Sequence, residues 1–432
     1  MFGVLGTVLG LIAASQSGNV LESTSSEPLA SSWSYHFRLQ GPDGSSWQQF
    51  SGLADSEGNL YWLFCSLYGR VFTFYGCSLH SSDQDGNSRF DVTLGSGPGP
   101  LTNINLYLVA GSIVVTEVSA VLYGRSTSNG ELLWTHDFRD EYLTIFRELG
   151  GVAHDGEGRV VVLAGAAAFA LSVSTGETLW RRDLRRNAQS VGFGGPPIFD
   201  ESGNVYCSKS SCMGRGPCKF FITSLDPHGT VRFETETRAW NRPVAVAQGR
   251  LVITDWHSAE GHPVELLDAE MGSRIVTLPG DSGGTPILIS GELGFYIEGA
   301  RHFNFFSPVQ DVALTAFDLA SGAIQWRFPL TGLGGGPLLT EEGNILVSQK
   351  LTVLEISPQG QLLRATRLRP NEPAPSEPRC DVAFGTLIFG GRWFSQCQDT
   401  VLAYDLPGAP GGGLGWNSLH GNAQHSNRPR VK

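Results

Sequence analysis

The sequence is poor in charge and in methionine. Asp, Glu, Lys and Arg make up 16% of its 432 residues, three residues are Met, and no apolar run is long enough to cross a bilayer as a helix. Also missing are the H-E-x-x-H, G-x-S-x-G and Walker patterns that mark zinc peptidases, α/β-hydrolases and P-loop enzymes. The 30 basic residues fall short of the 41 acidic ones, and the resulting charge of −11 argues against nucleic-acid backbones and anionic membranes as partners. What the chain holds in quantity is glycine, 55 residues, beside 23 Pro and ten Trp. Glycine costs about 1 kcal/mol in a helix interior, so this composition favours short strands and tight turns over long helices. At 41% hydrophobic the chain can bury a full core, which excludes disorder as its main state.

Residues 1–14, MFGVLGTVLGLIAA, are apolar and precede a Ser-rich stretch. They read as the core of an export signal, with Ala13 and Ser15 as the small residues before a cleavage point, although no Lys or Arg precedes the run. A buried first strand is the other reading. Seven cysteines add a compartment clue. Cys65 and Cys77, Cys207 and Cys218, and Cys380 and Cys397 have separations of 12, 11 and 17, which suit disulfides between neighbouring antiparallel strands, with Cys212 left over. Free thiols are the alternative. Zinc lacks the close Cys spacing and paired His that it needs.

Internal repetition organises the rest. ALSVSTGETLW (170–180) and AFDLASGAIQW (316–326) each run from Ala through a turn ending in Gly to a Trp four residues later. The same offset links Gly130 to Trp134, Gly229 to Phe233 and Gly86 to Phe90, with degenerate copies at Gly272 and Gly360. These glycines recur about every 45 residues, the spacing of a repeat array. Upstream of them, GGPPIFDESGNVYCS (194–208), GGPLLTEEGNILVSQ (335–349) and GGVAHDGEGRVVVLA (151–165) share a glycine-rich entry, a short apolar strand, an acidic hairpin and an alternating strand. Four short antiparallel strands per repeat make a β-propeller blade. Gly176 and Gly322 supply left-handed turn positions, Trp134, Trp180 and Trp326 fill the space between blades, and small Ala170 and Ala316 leave room for the rings. Entry strands near residues 51, 99, 151, 194, 242, 284, 335 and 380 predict an all-β, eight-bladed propeller, with seven blades as the alternative. The segment SSWSYHFRLQG (31–41) reads as a detached outer strand, with Trp33 in the docking position, that completes the last blade and closes the ring. The domain plan is a leader over 1–30, a propeller over 31–409, and a Gly-rich linker and tail over 410–432.

These docking segments, together with the ending GWNSLHGNAQHSNR (415–428), resemble the eight-bladed quinoprotein-like, or PQQ-like repeat, propellers. The resemblance covers residues 31–428 and is specific for fold. It implies a bacterial exported protein, in a group that includes dehydrogenases and outer-membrane assembly scaffolds. Dehydrogenases of the group hold pyrroloquinoline quinone beside a disulfide between adjacent cysteines. No two cysteines are adjacent here and no C-x-x-C-H haem site is present, so the quinone is not expected.

Other chemistry is sparse. Asp83, Asp85, Asn87 and Asp91 are spaced like a calcium loop, although Ser88 stands where the usual glycine would, and the same residues fit an ordinary acidic turn. Arg301, His302, Phe303, Phe305 and Phe306 cluster in a segment that breaks the repeat, as a candidate binding loop or as a strand pair with alternate rings buried. The reading is therefore an exported, non-catalytic scaffold without a cofactor, periplasmic, outer-membrane-associated or extracellular, that engages a protein or surface polymer through one propeller face. The alternatives are an enzyme (hydrolase, lyase or quinone-type oxidoreductase) with a site at the channel mouth, and a calcium-stabilised adhesion module.

Overall fold

The glycine period becomes eight antiparallel sheets. A computed structural model describes residues 29–30, 33–36, 52–55, 57–68, 73–101, 104–141, 149–185, 190–212, 218–238, 241–255, 263–280, 282, 287–299, 312–331, 337–340, 342–349, 352–369, 387–389, 392–397, 400–405 and 415–416. Blade 1 consists of Gly52–Ala54, Leu60–Tyr68, Thr73–Ser82 and Ser88–Leu101, from inner to outer strand. Blade 2 consists of Ile104–Ala110, Ile113–Val118, Val121–Ser126 and Leu132–Asp137. Blade 3 begins at Gly151–His154 and blade 4 at Ser190–Phe193, continued by Ile198–Phe199. Blades 5 to 8 begin at Asn241–Ala247, Leu288–Ser290, Leu338–Leu339 and Leu387–Phe389. Inner strands of successive blades lie against one another, and blade 8 lies against blade 1, so the sheets form a ring. The architecture is an eight-bladed propeller.

Middle strands are buried on both sides, which is why Arg159–Ala164 reads Val-Val-Val-Leu-Ala without polar alternation. The core is a series of seams between blades rather than one centre. Val115 and Leu122 of blade 2 pack with Val162 and Phe169 of blade 3, and Val161 and Ala170 of blade 3 pack with Val205 and Leu225 of blade 4.

Each outer strand carries its aromatic residue onto the turn of the next blade. The indole N–H groups of Trp134, Trp180 and Trp326 donate to the carbonyls of Val173, Pro227 and Pro358 at 2.8, 2.9 and 2.9 Å. The turn glycines complete the joint, each against the preceding repeat. A methyl group at Gly176 would lie 2.6 Å from the Trp134 ring, and one at Gly229 2.8 Å from Trp180. Gly130 meets Phe90, Gly272 meets Phe233 and Gly322 meets Val276 in the same way. The backbone at Gly176 has φ of 70°, so Gly176→Ala combines a left-handed Cβ with a clash and is expected to cost about 2 kcal/mol or more, measured by urea unfolding.

Blades 1 and 4 dock Phe, which lacks an N–H, and a second device takes over the carbonyl. The Tyr61 hydroxyl donates to Thr127 O at 3.3 Å, and the Tyr206 hydroxyl bonds Asp200 at 2.9 Å and Ala269 O at 2.9 Å. Arg89 and Arg232, each one residue before its Phe, reach the same Tyr hydroxyls at 3.1 and 3.2 Å. Burial pushes both phenols up to about 12. Thr127, Val173, Pro227, Ala269 and Pro358 hold the same turn position, so Trp and the Tyr–Arg pair are interchangeable stitches.

A bulge precedes the docking residue in seven outer strands, leaving Arg89, Leu133, Leu179, Arg232, Ile275, Gln325 and Leu363 outside the regular ladder. The eighth sheet is closed by the N-terminal segment. Trp33–His36 pairs antiparallel with Thr400–Asp405, and Trp33 stands opposite Ala403 as Trp180 stands opposite Ala170 and Trp326 opposite Ala316. Gly415–Trp416 adds a strand to the inner edge of the same sheet, and Leu29–Ala30 pairs parallel with the end of the outer strand of blade 7.

One disulfide expectation is corrected. Cys212, not Cys207, is bonded to Cys218. The hairpin register places Cys212 opposite Cys218 and Cys207 opposite Thr223, out of reach of Cys218. Cys207 is a buried free thiol that burial pushes up to about 12, which makes it inert rather than nucleophilic. Cys77 is disulfide-bonded and faces Cys65 across its ladder. Cys380 lies outside the described residues, and of Cys397 only the strand position, opposite Thr400, is described.

Candidate binding face

The blades give the disc two unlike faces. On one, which we term the turn face, lie the hairpins between first and second strands and the docking turns. Their lead residues cap the turn backbone. Asp83 accepts from the N–H groups of Asp85 and Asn87 at 2.9 Å each and from the Asn87 amide at 2.8 Å. Asp200 and Asp226 do the same for their turns. Burial is the largest single influence on the Asp83 carboxyl and raises it, but these hydrogen bonds and the Arg89 charge together outweigh it and hold the group below its ordinary range.

The opposite, connection face holds the crossovers between blades and the links between second and third strands. Some links are minimal, such as Ser119 and Ala120, which take φ of 50° and 64°. Others are long: in blade 5 the strands end at Asp255 and resume at Val264, and in blade 6 they end at Glu298 and resume at Val312. Both interruptions open on this face.

Beneath the connection face, buried polar side chains anchor the crossovers. At the seam of blades 2 and 3, Glu117 accepts from the Tyr107 hydroxyl at 2.5 Å and Asn105 at 2.9 Å, and also from the backbone at Leu149, where the chain enters blade 3. Burial raises its carboxyl to about 7, and these hydrogen bonds only partly oppose that. At the next seam Lys209 and Glu234 pair at 2.6 Å with side chains 2% and 4% exposed. Lys209 also donates to Leu184 O at 2.9 Å, fixing the exit from blade 3, and lies over the Phe221 ring. Arg242 starts blade 5, and burial lowers its guanidinium to about 10. Farther round, the Tyr296 hydroxyl donates to Pro279 O at 3.0 Å, while Glu298 accepts from Thr315 and Arg327. The connection face is thus a set of segments mounted on rigid, hydrogen-bonded posts.

Glu117 gives this face a pH dependence. Its folded carboxyl lies above the ordinary 4.5, so the folded state holds the proton more tightly than the unfolded chain. Stability from this group is full below about pH 4.5 and falls as pH rises to about 7, by roughly 3 kcal/mol. Glu117→Gln is expected to flatten that slope, seen by comparing urea midpoints at pH 4.5 and pH 8.

Residues 69–275, nearly half of the chain, match the PQQ-like family model described as outer membrane protein assembly factor BamB. Over that span the chain is similar to the PQQ-like repeats. BamB from Moraxella catarrhalis superposes with a TM-score of 0.51 at 15% identity, covering 88% of this chain and 98% of that one. The Pan2 WD40 domain of Neurospora crassa superposes with a TM-score of 0.50 at 12% identity, covering 88% and 95%. At these identities the likeness is one of fold. No protein with a curated description matches the sequence.

The sequence candidates fall on separate elements of this propeller. Asp83, Asp85 and Asn87 form one docking turn, and Asp91 stands farther along the outer strand opposite His80. Both Asp83 oxygens are engaged by turn donors. Among the described residues no three His, Cys, Asp or Glu are grouped to hold a metal. Calcium or a chelator is therefore expected to leave the melting temperature unchanged, and a calcium-induced rise of several degrees would show that the turn binds the ion. No two cysteines are adjacent in the sequence, so the disulfide that lies beside pyrroloquinoline quinone in dehydrogenases of the group has no counterpart in it. Arg301, His302, Phe303, Phe305 and Phe306 lie outside the described residues, between strands that open on the connection face. Sequence reasoning missed Glu117, Lys209 and Glu234. Only Glu117 leaves a signal, a charged residue in the mainly apolar strand Ile113–Val118, whereas Lys209 and Glu234 sit among polar neighbours in Val205–Cys212 and Val231–Thr237.

Proposed function

We propose that this propeller is an exported, non-catalytic scaffold that binds a protein partner through its connection face. The observation that carries this is the asymmetry of the disc. The turn face is built from short capped hairpins, whereas the segments that break the repeat open on the connection face, where Glu117, Lys209 and Tyr296 fix the crossovers between blades. Rigid scaffolds present recognition elements in this way. The protein-binding reading is supported by the fold shared with an assembly factor, and export by the Cys212–Cys218 disulfide, which persists in oxidising compartments. A leader over residues 1–30 would deliver it there. The segment from Arg301 to Phe306 belongs to the proposed surface. Replacing 300–311 with Asn-Gly is expected to leave melting within a few degrees of the parent while abolishing recovery of the partner from the cell envelope. Full recovery by the shortened protein would remove this segment from the binding surface.

A further inference from the structure

The outer-strand bulges carry a second surface, on the rim beside the turn face. A bulge re-aims one side chain out of the ladder. In blades 1 and 4 that side chain is Arg89 or Arg232, folded inward to stitch the blades. In blades 2, 3, 5 and 7 it is Leu133, Leu179, Ile275 and Leu363, exposed by 49%, 56%, 40% and 49%. The remaining large hydrophobic residues that are exposed among the described ones, Leu132 and Met271, sit within two residues of the same turn glycines. Among the described residues, exposed large aliphatic groups are thus confined to one register of the repeat.

Blades 2 and 3 are neighbours, joined through Trp134, and there the register carries charge as well. Gly130-Glu131-Leu132-Leu133 and Gly176-Glu177-Thr178-Leu179 each place an exposed carboxylate two residues before the bulged leucine. Glu131 and Glu177 make only local hydrogen bonds, to Asn129 and Thr175, and no ion pair among the described residues. Apolar groups beside unneutralised acids call for a partner with apolar side chains flanked by Lys or Arg. A second copy of this chain, with charge −11, would meet the patch with like charge. Strand addition is disfavoured too, because the bulges at Leu133 and Leu179 break the regular edge that a partner strand would need.

We propose that Glu131, Leu132, Leu133, Glu177 and Leu179 form a docking site for a basic, apolar polypeptide segment, read through side chains. This site is separate from the connection face and would let the propeller hold two partners at once.

The test is selection of a random twelve-residue peptide library on the purified full chain, followed by affinity measurement of enriched synthetic peptides. Enriched peptides are expected to carry Lys or Arg beside Leu, Ile or Phe. Their affinity should fall at least tenfold in the double variant Leu133→Asp/Leu179→Asp and in Glu131→Lys/Glu177→Lys, and should weaken with added salt. Gln325→Asp, at the corresponding bulge of blade 6, should change nothing, and melting curves confirm that each variant is folded. Enrichment of peptides without basic residues, or affinity unchanged in both double variants, would overturn the proposal. So would self-association of the parent chain that the leucine variant abolishes, because the occupant would then be a second copy.

Discussion

Replacing Lys209 with methionine is expected to destabilise the protein by about 3–5 kcal/mol, among the largest effects of any single substitution in the described part of the chain. The ammonium is buried between blades 3 and 4 and is the cation paired with Glu234, whose side chain is 4% exposed. Methionine fills most of the volume but leaves that carboxylate enclosed without its counter-charge and Leu184 O without its donor. Two well-packed apolar residues need no counter-charge, so Lys209→Met/Glu234→Leu should recover the part of the loss due to the enclosed carboxylate, leaving only the cost of the donor lost at Leu184 O. Urea unfolding of the two single variants and the double one measures the coupling. If Lys209→Met alone costs less than about 1 kcal/mol, the pair is not the buried post described here. The exit from blade 3 should then be mapped again.

The second large effect concerns ring closure. Replacing Trp33–His36 with a Gly-Ser segment of equal length removes the outer strand of the eighth sheet, the strand that pairs with Thr400–Asp405. An open propeller has an unpaired edge and loses the seam between its first and last blades. The expected result is loss of the single cooperative unfolding transition, with a broad low-temperature phase in calorimetry and aggregation on standing. A sharp transition within a few degrees of the parent would mean that the ring closes by other strands.

Fold was legible because a propeller repeats its turn chemistry. Gly176 and Gly322, with their Trp four residues on, set the period. Trp33, isolated from any turn of its own, still announced the closing strand, since an aromatic in docking register without a preceding glycine needs a sheet from elsewhere. What remained hidden was pairing across repeats. The glycine beneath Trp134 is Gly176 of the next blade, not Gly130 of its own segment. The cysteine assignment failed for a similar reason. Loop length made Cys207 and Cys218 plausible, but alternation along the hairpin decides, and it brings Cys212 opposite Cys218. Lys209 and Glu234 lie 25 residues apart on strands separated by a third, so no local spacing joins them. Arg89 and Arg232 were equally silent: a lone Arg before Phe looks like surface charge until the Tyr of the same blade is placed beside it.

Site-specific photo-cross-linking in the cell envelope tests the functional reading most directly. A benzophenone side chain is placed at Lys219 or Arg238, exposed on the connection face, and for comparison at Glu292 or Glu342, exposed on the hairpins between first and second strands of blades 6 and 7. The account predicts a discrete protein adduct from the first pair and none from the second. Absence of any adduct from Lys219 and Arg238, or the same adduct from all four positions, would contradict it.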